Sequence, residues 1–430
     1  MSESTNANAT TWVVPVPATA APKRGAVAVV VALGIAGAWF ASREQALDAD
    51  DSETFAAPPE QTPAPAAHAS TLADLGRTVF FDTNLSEPAG TSCGSCHDPA
   101  HAFAGDNGST LGVARGSRPG HFARRATPSV LYLGLVRPFH FHWEEDAPLP
   151  DAFGGFFWDG RVDSLAALFS QPALNLDEMA NRDLPHLAAK IQAAPYAAEL
   201  RRVLGPPASP EAVVRGAGEA VEAFLLSDAM SPFTSKYDDY IRGRVALTPQ
   251  EARGLALFKD DAKGGCAGCH KLVDNSPDPR RSPFSDYGFE TVAVPRNRRL
   301  PASADANATR RFDLGLCERT DAHEHTSDPR FCGAFRTPSL RNVATRSSFM
   351  HSGGFTSLRD VVAFYATRAT NPERWYPGGT YDDLPAKYRA NVNDRVAPYD
   401  RRPGDPRALD EGEIDAIVAF LGTLTDAQYR

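Results

Sequence analysis

The chain has 430 residues, of which 23% are charged and 42% are hydrophobic, and its formal net charge is -9. This length is enough for two ordinary domains that each bury a hydrophobic core. The acidic balance argues against a nucleic-acid-binding protein, because such proteins carry a basic surface. Six cysteines are too few for a disulfide scaffold of this length, so each cysteine needs a reason of its own.

The N-terminal segment, residues 1–42, has the pattern of an export signal. A basic pair precedes residues 25–42, which are apolar and uncharged. Ala36-Gly37-Ala38 offers a signal-peptide cleavage site, but the apolar stretch is also long enough to remain as a membrane anchor. Both alternatives stay open. Residues 43–70 are rich in alanine, proline and acidic residues without hydrophobic periodicity, so we predict a flexible linker there.

Four of the six cysteines stand in two C-x-x-C-H patterns. They are Cys93-Gly-Ser-Cys96-His97 and Cys266-Ala-Gly-Cys269-His270. In this pattern the two thiols form thioether bonds to the vinyl groups of a haem, and the adjacent histidine ligates the iron. A single CxxC is also compatible with a redox pair or half of a zinc site. Two CxxCH copies in an exported chain predict two covalently bound c-type haems.

The two CxxCH patterns lie inside a longer internal repeat. A helical segment that ends in aromatic residues precedes each pattern, beginning at Thr71 and Thr248. Each segment has an acidic residue three positions after its threonine, as in a capping box. Downstream, ATPSVL beginning at Ala126 matches RTPSLR beginning at Arg336.

A further match aligns the segment that begins WDGRVDSLAALF at Trp158 with HSGGFTSLRDVVAFY at His351. Matches in the same order in both halves indicate a duplicated domain. We therefore predict a mainly α fold with little β structure, built from two tandem cytochrome c-like haem domains. Their predicted limits are residues 71–228 and 229–430.

The repeat also reveals a chemical difference between the halves, because the alignment places Tyr365 on Pro172. If this helix faces the open side of its haem, a phenol reaches iron in the second domain, whereas proline offers no donor in the first. One haem would then be six-coordinate and the other five-coordinate and free to bind an oxidant. The alternative is that Tyr365 is a core aromatic at helical spacing with Val361 and Phe364. The spacing alone leaves both readings open.

These motifs resemble those of the bacterial di-haem cytochrome c peroxidases and MauG-type enzymes, over residues 70–425. The matching segments are LGRTVFFD, CGSCH, FWDGR, CAGCH and RTPSLRNV. In that family the N-terminal haem reacts with peroxide and the C-terminal haem is a six-coordinate electron store. The resemblance implies that His97 and His270 ligate the two irons. It also implies that Tyr365, at a position held by methionine in the peroxidases and tyrosine in the MauG type, is the sixth ligand of the second haem.

The resemblance assigns roles to two further residues. Trp158 corresponds to the tryptophan between the haems, where an aromatic ring can relay an electron hole; otherwise it is an ordinary buried tryptophan. Glu178 corresponds to the distal carboxylate over the open haem, which transfers a proton during O–O cleavage; otherwise it is a surface acid. An asparagine that helps to bind an inter-haem calcium ion in the family is replaced by Ala126, which puts calcium in doubt.

Within the family, the pattern resembles most closely the MbnH-type di-haem enzymes, which oxidise a tryptophan of a partner copper-binding protein. The supporting segments are SCGSCHDPAHAF, GSRPGHFARR, GGFFWDGR and AFYATR. The resemblance implies a periplasmic enzyme that uses hydrogen peroxide to form a high-valent di-haem state. That state would oxidise an aromatic residue, tryptophan, of a partner protein, which we expect to be a small exported copper-binding protein.

Two alternative functions remain open. The first is a di-haem cytochrome c peroxidase that reduces hydrogen peroxide with electrons from a small cytochrome or cupredoxin donor. The second is a non-catalytic di-haem electron carrier, in which both irons would be six-coordinate.

The remaining cysteines, Cys317 and Cys332, lack the CxxCH context. Two leftover thiols in an oxidising compartment predict a disulfide, which would close part of a long insertion in the second half. The same insertion contains His323 and His325. We expect an exposed polar turn there, with a metal-binding pair as the alternative.

Overall fold

The structure is a computed structural model that describes residues 66–145, 150–300, 312–319 and 326–430, with the side chains from Thr71 onward. The predicted signal or anchor segment, most of the predicted linker, and His323 and His325 lie outside the described residues. All described residues belong to one compact unit. None of the helices in these described ranges combines the length and apolar character needed to cross a membrane.

The described chain is mainly helical with little β structure, which confirms the predicted fold class. The α-helices are α1 (Ala66–Phe80), α2 (Cys93–Cys96), α3 (Leu165–Leu168), α4 (Ser170–Leu174), α5 (Leu184–Ala193), α6 (Ala197–Leu204), α7 (Pro210–Leu225), α8 (Lys236–Ile241), α9 (Pro249–Lys259), α10 (Leu358–Thr367) and α11 (Glu411–Gly422). Short 3-10 helices lie at Thr83–Leu85, Pro99–His101, Leu133–Leu135, Asp228–Met230, Cys266–Gly268, Pro279–Arg281, Leu316–Glu318, Pro329–Phe331, Val343–Thr345, Pro372–Arg374, Pro377–Gly379, Ala386–Asn391 and Ala427–Tyr429.

The β structure consists of two antiparallel pairs of short strands. Strand β1 (His140–His142) pairs with β2 (Asp151–Phe153), and His140 lies opposite Phe153. Strand β3 (Phe289–Glu290) pairs with β4 (Phe335–Arg336), and Phe289 lies opposite Arg336.

The predicted helix starts are right in one half and wrong in the other. Helix α9 begins with Thr248 as its N-cap, and Thr248 and Glu251 form the predicted capping box. Helix α1 instead begins at Ala66, so Thr71 is an interior residue and the predicted linker 43–70 extends too far. The physical reason is that alanine is the strongest helix former, and the AAHAS sequence before Thr71 continues the helix in the N-terminal direction.

Each half of the chain builds its own hydrophobic core. In the first core α1 packs on α7, and in the second α9 packs on α11. Both crossings depend on a glycine that lets two backbones approach. A Cβ atom on Gly76 would lie 1.7 Å from the carbonyl oxygen of Ala220, and one on Gly254 would lie 2.0 Å from that of Ala416. The same close crossing thus occurs twice, as the repeat predicts. The exact domain limits at residues 228 and 229 stay predictions.

A triad of phenylalanine rings stands at the centre of each core. The first triad is Phe80, Phe103 and Phe224, and the second is Phe258, Phe284 and Phe420. The ring centroids are 5.4 to 6.4 Å apart in the first triad and 5.2 to 6.3 Å apart in the second. These are edge-to-face and tilted arrangements, which aromatic rings prefer over face-to-face stacking.

The helix that carries Tyr365 has a counterpart in the first half. Helix α10 follows the N-cap Ser357, and α3 follows the N-cap Ser164. Helices α3 and α4 are joined by Phe169, whose backbone is itself helical, so together they span the same length as α10. This equivalence places Pro172 of α4 at the position of Tyr365 in α10, as the sequence alignment predicts.

Buried Asp426, near the C-terminus, ties the two halves together. Its carboxylate accepts hydrogen bonds from Tyr132 Oη at 2.5 Å and Asn342 Nδ2 at 2.7 Å. It also accepts one from the backbone N–H of Thr234 at 2.9 Å. Tyr132 and Asn342 follow the two TPS segments at equivalent repeat positions, and both adopt the left-handed conformation with φ of 62° and 60°.

The predicted disulfide between Cys317 and Cys332 is confirmed, and their Cα atoms are 4.9 Å apart. It closes a loop of the second half immediately before β4. In the chain-entropy model a loop of this length stabilises the fold by about 3 kcal/mol.

Candidate haem sites

The first CxxCH segment is held on a single helical turn. Cys93 and Cys96 bound α2, and the backbone N–H of His97 donates to the carbonyl of Cys93 at 2.8 Å. The His97 ring is fixed by a 3.1 Å hydrogen bond from Nδ1 to the carbonyl oxygen of Phe103. Burial lowers the pKa of His97 to about 4, so the ring is neutral at pH 7. Because Nδ1 carries the donated proton, Nε2 keeps a free lone pair, which is the form that ligates iron.

The second CxxCH segment repeats this geometry. The backbone N–H of His270 donates to the carbonyl of Cys266 at 2.8 Å, and its Nδ1 lies 3.0 Å from the carbonyl oxygen of Phe284. Burial also lowers the pKa of His270. The two histidines therefore have the same orientation and the same free nitrogen.

The repeated TPS segments support these histidines. The sequence shows the repeat but does not indicate this role. The carbonyls of Pro128 and Pro338 each lie against the histidine ring of their own half. The following serines pin the loop that supplies the histidine's acceptor. Ser129 Oγ donates to the carbonyl of Ala102, and Ser339 Oγ donates to that of Pro283, each at 2.7 Å.

The donors present at both sites fit a covalently attached haem. Cys93, Cys96, Cys266 and Cys269 are not disulfide-bonded, whereas Cys317 and Cys332 form a disulfide. Each CxxC pair directly precedes a histidine whose Nε2 can ligate iron, as thioether attachment and histidine ligation require. Within the described ranges, no cluster of three or more His, Cys, Asp or Glu side chains is arranged to hold a metal ion. The doubtful calcium ion stays untested.

Glu178 lies on a compact turn. Burial raises the pKa values of Cys93 and Cys96, and the negative charge of Glu178 adds to that effect. Its Oε1 accepts a 2.9 Å hydrogen bond from Asn175 Nδ2. Its backbone carbonyl accepts one from the N–H of Ser117 at 2.7 Å. Burial raises the pKa of Glu178. This carboxyl group is therefore both held in place and easier to protonate than an exposed one.

A neighbouring contact fixes the same turn from outside. Nδ1 of His121 lies 2.8 Å from a carboxylate oxygen of Asp177, with both side chains about one-third exposed. The loop around Gly116 packs so closely on the turn that a Cβ atom there would lie 2.4 Å from the carbonyl oxygen of Asp177. Glu178 thus stands between two supports, the Asn175 amide and the loop that contains His121.

Tyr365 packs against the second hydrophobic core, as do Cys266 and Ala267 of the second CxxCH segment. Burial raises the pKa of the Tyr365 phenol well above its usual value. Its neighbours Val361 and Phe364 are buried in the core, whereas Tyr365 is only partly buried. Tyr365 therefore shares the helical spacing of the core residues, and its partly buried side chain is not enclosed in the core as theirs are. The ring of Tyr399 lies 5.5 Å from that of Tyr365 and had no signal in the sequence.

Trp158 is buried at the meeting point of the two halves. Its Nε1 donates to the carbonyl of Ala126 at 2.8 Å, and its own carbonyl accepts from the N–H of Arg336 at 2.8 Å. Its ring lies 6.4 Å from that of His351, the residue at the equivalent repeat position. His351 in turn stacks on Phe335 at a centroid distance of 3.5 Å.

A buried ion-pair network surrounds the WDGR segment. Arg125 Nη1 lies 2.6 Å from Asp159, and its Nη2 lies 2.7 Å from Asp313. Arg161 also binds Asp159 at 2.9 Å and stacks 3.8 Å above the ring of Phe157. Sequence reasoning missed this network, because its members are distant in the chain.

Comparison with known proteins identifies the family to which these sites belong. Residues 70–246 match the family described as di-haem cytochrome c peroxidase. The chain is 34% identical to the methylamine utilization protein MauG of Paracoccus denitrificans over 371 residues, which cover 84% of this chain and 89% of that protein. The chain belongs to the di-haem cytochrome c peroxidase and MauG family.

Two solved structures extend this relationship. The diheme peroxidase BthA from Burkholderia thailandensis E264 matches with a TM-score of 0.78 and 49% identity, over 85% of this chain and 87% of that one. A MauG-like protein associated with microbial copper homeostasis matches with a TM-score of 0.55 and 24% identity, over 87% of this chain and 95% of that one. The second likeness concerns the fold alone.

Membership of the di-haem family confirms the predicted class of protein. It implies two c-type haems and an oxidoreductase of the cytochrome c peroxidase and MauG type. The two CxxCH sites with free, uniformly oriented histidines are the places in this chain that would hold those haems.

Proposed function

We propose that this di-haem enzyme uses hydrogen peroxide to oxidise an aromatic side chain, a tryptophan, of a partner protein in the periplasm. The haems, when bound, supply the redox chemistry by taking up the two oxidising equivalents of peroxide. The observation that carries the proposal is the difference between the two CxxCH sites, with Tyr365 at the second and Pro172 at the equivalent position of the first.

Tyr365 supports this reading through its donor chemistry. A phenolic oxygen is a hard donor, and as a phenolate it favours higher oxidation states, whereas a methionine thioether raises the potential of a haem and favours the ferrous state. A tyrosine ligand therefore suits a protein that stores oxidising equivalents rather than one that accepts electrons from a donor. Pro172 offers no donor atom at the equivalent position of the first half.

Glu178 is the proposed proton-transfer residue. Cleavage of the O–O bond of hydrogen peroxide needs a proton to leave one oxygen and a proton to reach the departing one, which leaves as water. The Glu178 carboxylate accepts the first proton and then donates it. The Asn175 amide holds one oxygen of the carboxylate, so the other is available for peroxide.

Trp158 is the proposed relay for electrons between the two sites. Its ring is buried, and its N–H is held by the Ala126 carbonyl, so its position is fixed. It is contributed by the first half and contacts Arg336 and His351 of the second. Because electrons travel from the partner's surface, the substrate tryptophan does not need to enter a pocket.

The first experiment adds hydrogen peroxide to the fully ferric protein. The proposal predicts a long-lived state that lies two electrons above the resting protein, followed by its decay when the partner is supplied. The partner to try first is a small exported copper-binding protein encoded beside this chain. Mass spectrometry of its tryptophans, before and after peroxide, reads out the modification. An unmodified partner together with rapid decay of the oxidised state would argue against the proposal.

The second candidate function is reduction of hydrogen peroxide with electrons from a small donor protein. It is favoured by the 49% identity to BthA, which is described as a diheme peroxidase. Steady-state peroxide consumption with a reduced cytochrome or cupredoxin distinguishes it from protein oxidation. A non-catalytic electron carrier would instead have two six-coordinate haems and no reaction with peroxide.

A further inference from the structure

Arg346 connects the two halves of the chain beside the first CxxCH site. It directly follows the 3-10 helix Val343–Thr345 of the second half. Its Nη2 donates to the carbonyl of Thr127 in the first half at 2.9 Å, and its Nε donates to the carbonyl of Ser348 at 3.1 Å. These two contacts hold the guanidinium group in one place.

The guanidinium group of Arg346 has donors to spare. It carries five N–H groups, and the two hydrogen bonds above use two of them. Both acceptors are neutral carbonyls, and no carboxylate of the described residues forms an ion pair with Arg346. Two buried arginines, Arg336 and Arg368, likewise donate to backbone carbonyls. Others pair with a carboxylate. Arg125, Arg319 and Arg341 each pair with an aspartate.

The charge of Arg346 is therefore uncompensated within the described protein. Burial lowers the pKa of Arg346 to about 10, and no neighbouring anion opposes that effect. Buried charges are normally paired with an anion, because desolvation disfavours an isolated cation. A bound group that carries an anion would supply that pairing.

The position of Arg346 indicates which bound group. It donates to Thr127, and the next carbonyl along the chain, that of Pro128, lies against the ring of His97. Arg346 thus stands next to the axial histidine of the first haem site, although it belongs to the second half of the chain.

We propose that Arg346 binds a carboxylate of the haem attached at Cys93 and Cys96. A c-type haem carries two propionate carboxylates, and guanidinium groups pair with carboxylates through two parallel hydrogen bonds. The second half of the chain thereby supplies the cation that sets the electrostatic environment of the first haem. This inference rests on the presence of the haem and not on the proposed oxidation of a partner protein.

The test measures the reduction potentials of both haems in the holoprotein, with the variants Arg346→Gln and Arg346→Lys and without peroxide. Loss of the cation leaves an uncompensated propionate charge, which favours the ferric state of that haem. In R346Q we expect the ferric/ferrous equilibrium of one haem to shift by about tenfold towards ferric, roughly 59 mV for one electron. The other haem should keep its potential, and R346K should recover most of the shift.

A second readout separates a propionate partner from a merely nearby charge. The propionate bending vibration in the resonance Raman spectrum responds to hydrogen bonds at the carboxylate, so it should shift in both R346Q and R346K. Arg319→Gln is the matched control, because it removes a buried arginine that pairs with a protein aspartate. It should leave both potentials and the vibration unchanged.

Unchanged potentials in R346Q, or an unchanged propionate vibration in both variants, would overturn the inference. If R346Q does not fold, the vibration in R346K decides the question alone. These measurements are made on the resting protein, without peroxide. A negative result would therefore contradict the role of Arg346 and not the proposed reaction with peroxide. Likewise, a protein that fails to react with peroxide would not contradict the role of Arg346.

Discussion

The histidines of the two CxxCH segments are fixed by backbone carbonyls rather than by side chains. His97 uses the carbonyl of Phe103, and His270 uses that of Phe284. Backbone acceptors do not depend on the identity of the residue that supplies them, so the same geometry survives although the two halves differ widely in sequence. At the residue scale, the two sites differ in their proposed functional side chains, Glu178 in the first half and Tyr365 in the second.

We expect Glu178→Gln to slow the reaction of the ferric protein with peroxide by about 100-fold or more, because glutamine cannot transfer a proton. In the wild-type protein the rate should fall as pH is lowered, since the base form is lost as pH falls through the pKa. Burial raises that pKa, so the fall should occur at a higher pH than for an exposed glutamate. Stopped-flow absorption across this pH range is the measurement.

The matched comparison for Glu178 is Asp177→Asn, next to it on the same turn. Asp177 contacts His121 and is about one-third exposed, so its loss should change the rate far less. An equal loss of rate in both variants would show that the reaction with peroxide depends on the turn as a whole rather than on the Glu178 carboxyl group.

Tyr365→Phe tests the proposed sixth ligand. Phenylalanine keeps the aromatic ring on α10 but removes the phenolic oxygen. The second haem should therefore lose its low-spin spectrum, while the melting temperature of the protein changes little. Tyr399→Phe is the control, because its ring lies 5.5 Å from that of Tyr365 and its hydroxyl is a competing donor. A low-spin spectrum that persists in Y365F and disappears in Y399F would transfer the ligand role to Tyr399.

At the scale of elements, the fold depends on two helix crossings of nearly equal geometry. Helix α1 meets α7 in the first half and α9 meets α11 in the second, each at a glycine, and a triad of phenylalanines belongs to the same core. The first residues of the α9 helix follow a capping box that the sequence displays. The close approach at Gly254 has no such local signal, because it depends on a partner that is distant in the chain.

Gly254→Ala should destabilise the protein by roughly 3 kcal/mol, because the new Cβ would overlap the carbonyl of Ala416 and force the backbones apart. Gly422→Ala, at the end of the partner helix α11, is the control. Nothing lies within 4 Å of a Cβ there, so it should be neutral or slightly stabilising. Thermal unfolding followed by far-ultraviolet circular dichroism measures both, and similar midpoints for the two variants would contradict the account of the crossing.

At the scale of the whole molecule, charged and polar groups connect the halves. Asp426 receives hydrogen bonds from both TPS-linked segments. Arg125 of the first half joins Asp159 to Asp313 of the second-half insertion. The Cys317–Cys332 disulfide closes a loop that begins just after Asp313. Together these contacts make the relative position of the two haem sites a property of the complete chain.

Removal of Arg125 should lower the free energy of unfolding strongly at neutral pH and less at acidic pH. Arg125 lowers the pKa values of Asp159 and Asp313, so their stabilising contribution is complete above the unfolded value near 3.9 and is lost as pH falls. Arg125→Met removes the closest cation of two buried carboxylates and leaves Asp159 to Arg161 and Asp313 to Arg124. We expect this loss to lower the free energy of unfolding by about 3 kcal/mol at pH 7. The gap between wild type and R125M should narrow between about pH 5 and pH 2.

Denaturant unfolding at several pH values measures this gap. Arg202→Met is the control, because Arg202 pairs with Glu199 on an exposed face of α6 and such pairs contribute little. A gap for R125M that stays constant as pH falls would mean that the two aspartates are not responsible.

Asp426→Ala should lower the unfolding temperature by several degrees, since it leaves buried donors of Tyr132, Asn342 and Thr234 without an acceptor. Each unsatisfied buried group costs about 1–3 kcal/mol. Asp426→Asn should lower the unfolding temperature less, because the asparagine amide oxygen still accepts hydrogen bonds. The haem spectra should be unchanged in whatever fraction folds, and a spectral change without loss of stability would indicate a different role.

The sequence by itself determined the chemistry that is local in the chain. Two CxxCH segments, the TPS repeats and the capping boxes are short-range patterns, so they predict two haem sites in a duplicated helical fold. The alignment of Pro172 with Tyr365 agrees with the helix bounds, because each residue stands at the same distance from its N-cap, Ser164 or Ser357. The predicted start of α1 at Thr71 was wrong, because alanine-rich residues before the repeat extend the helix in the N-terminal direction.

Only the tertiary structure decided what depends on residues far apart. The carbonyl acceptors of the two histidines, the Tyr365–Tyr399 contact, the Arg125 network and the unpaired guanidinium of Arg346 have no signal in local sequence. Backbone acceptors are invisible in a sequence because every residue has one. Ion pairs between halves depend on how two cores pack, and that packing is decided by many small apolar contacts together.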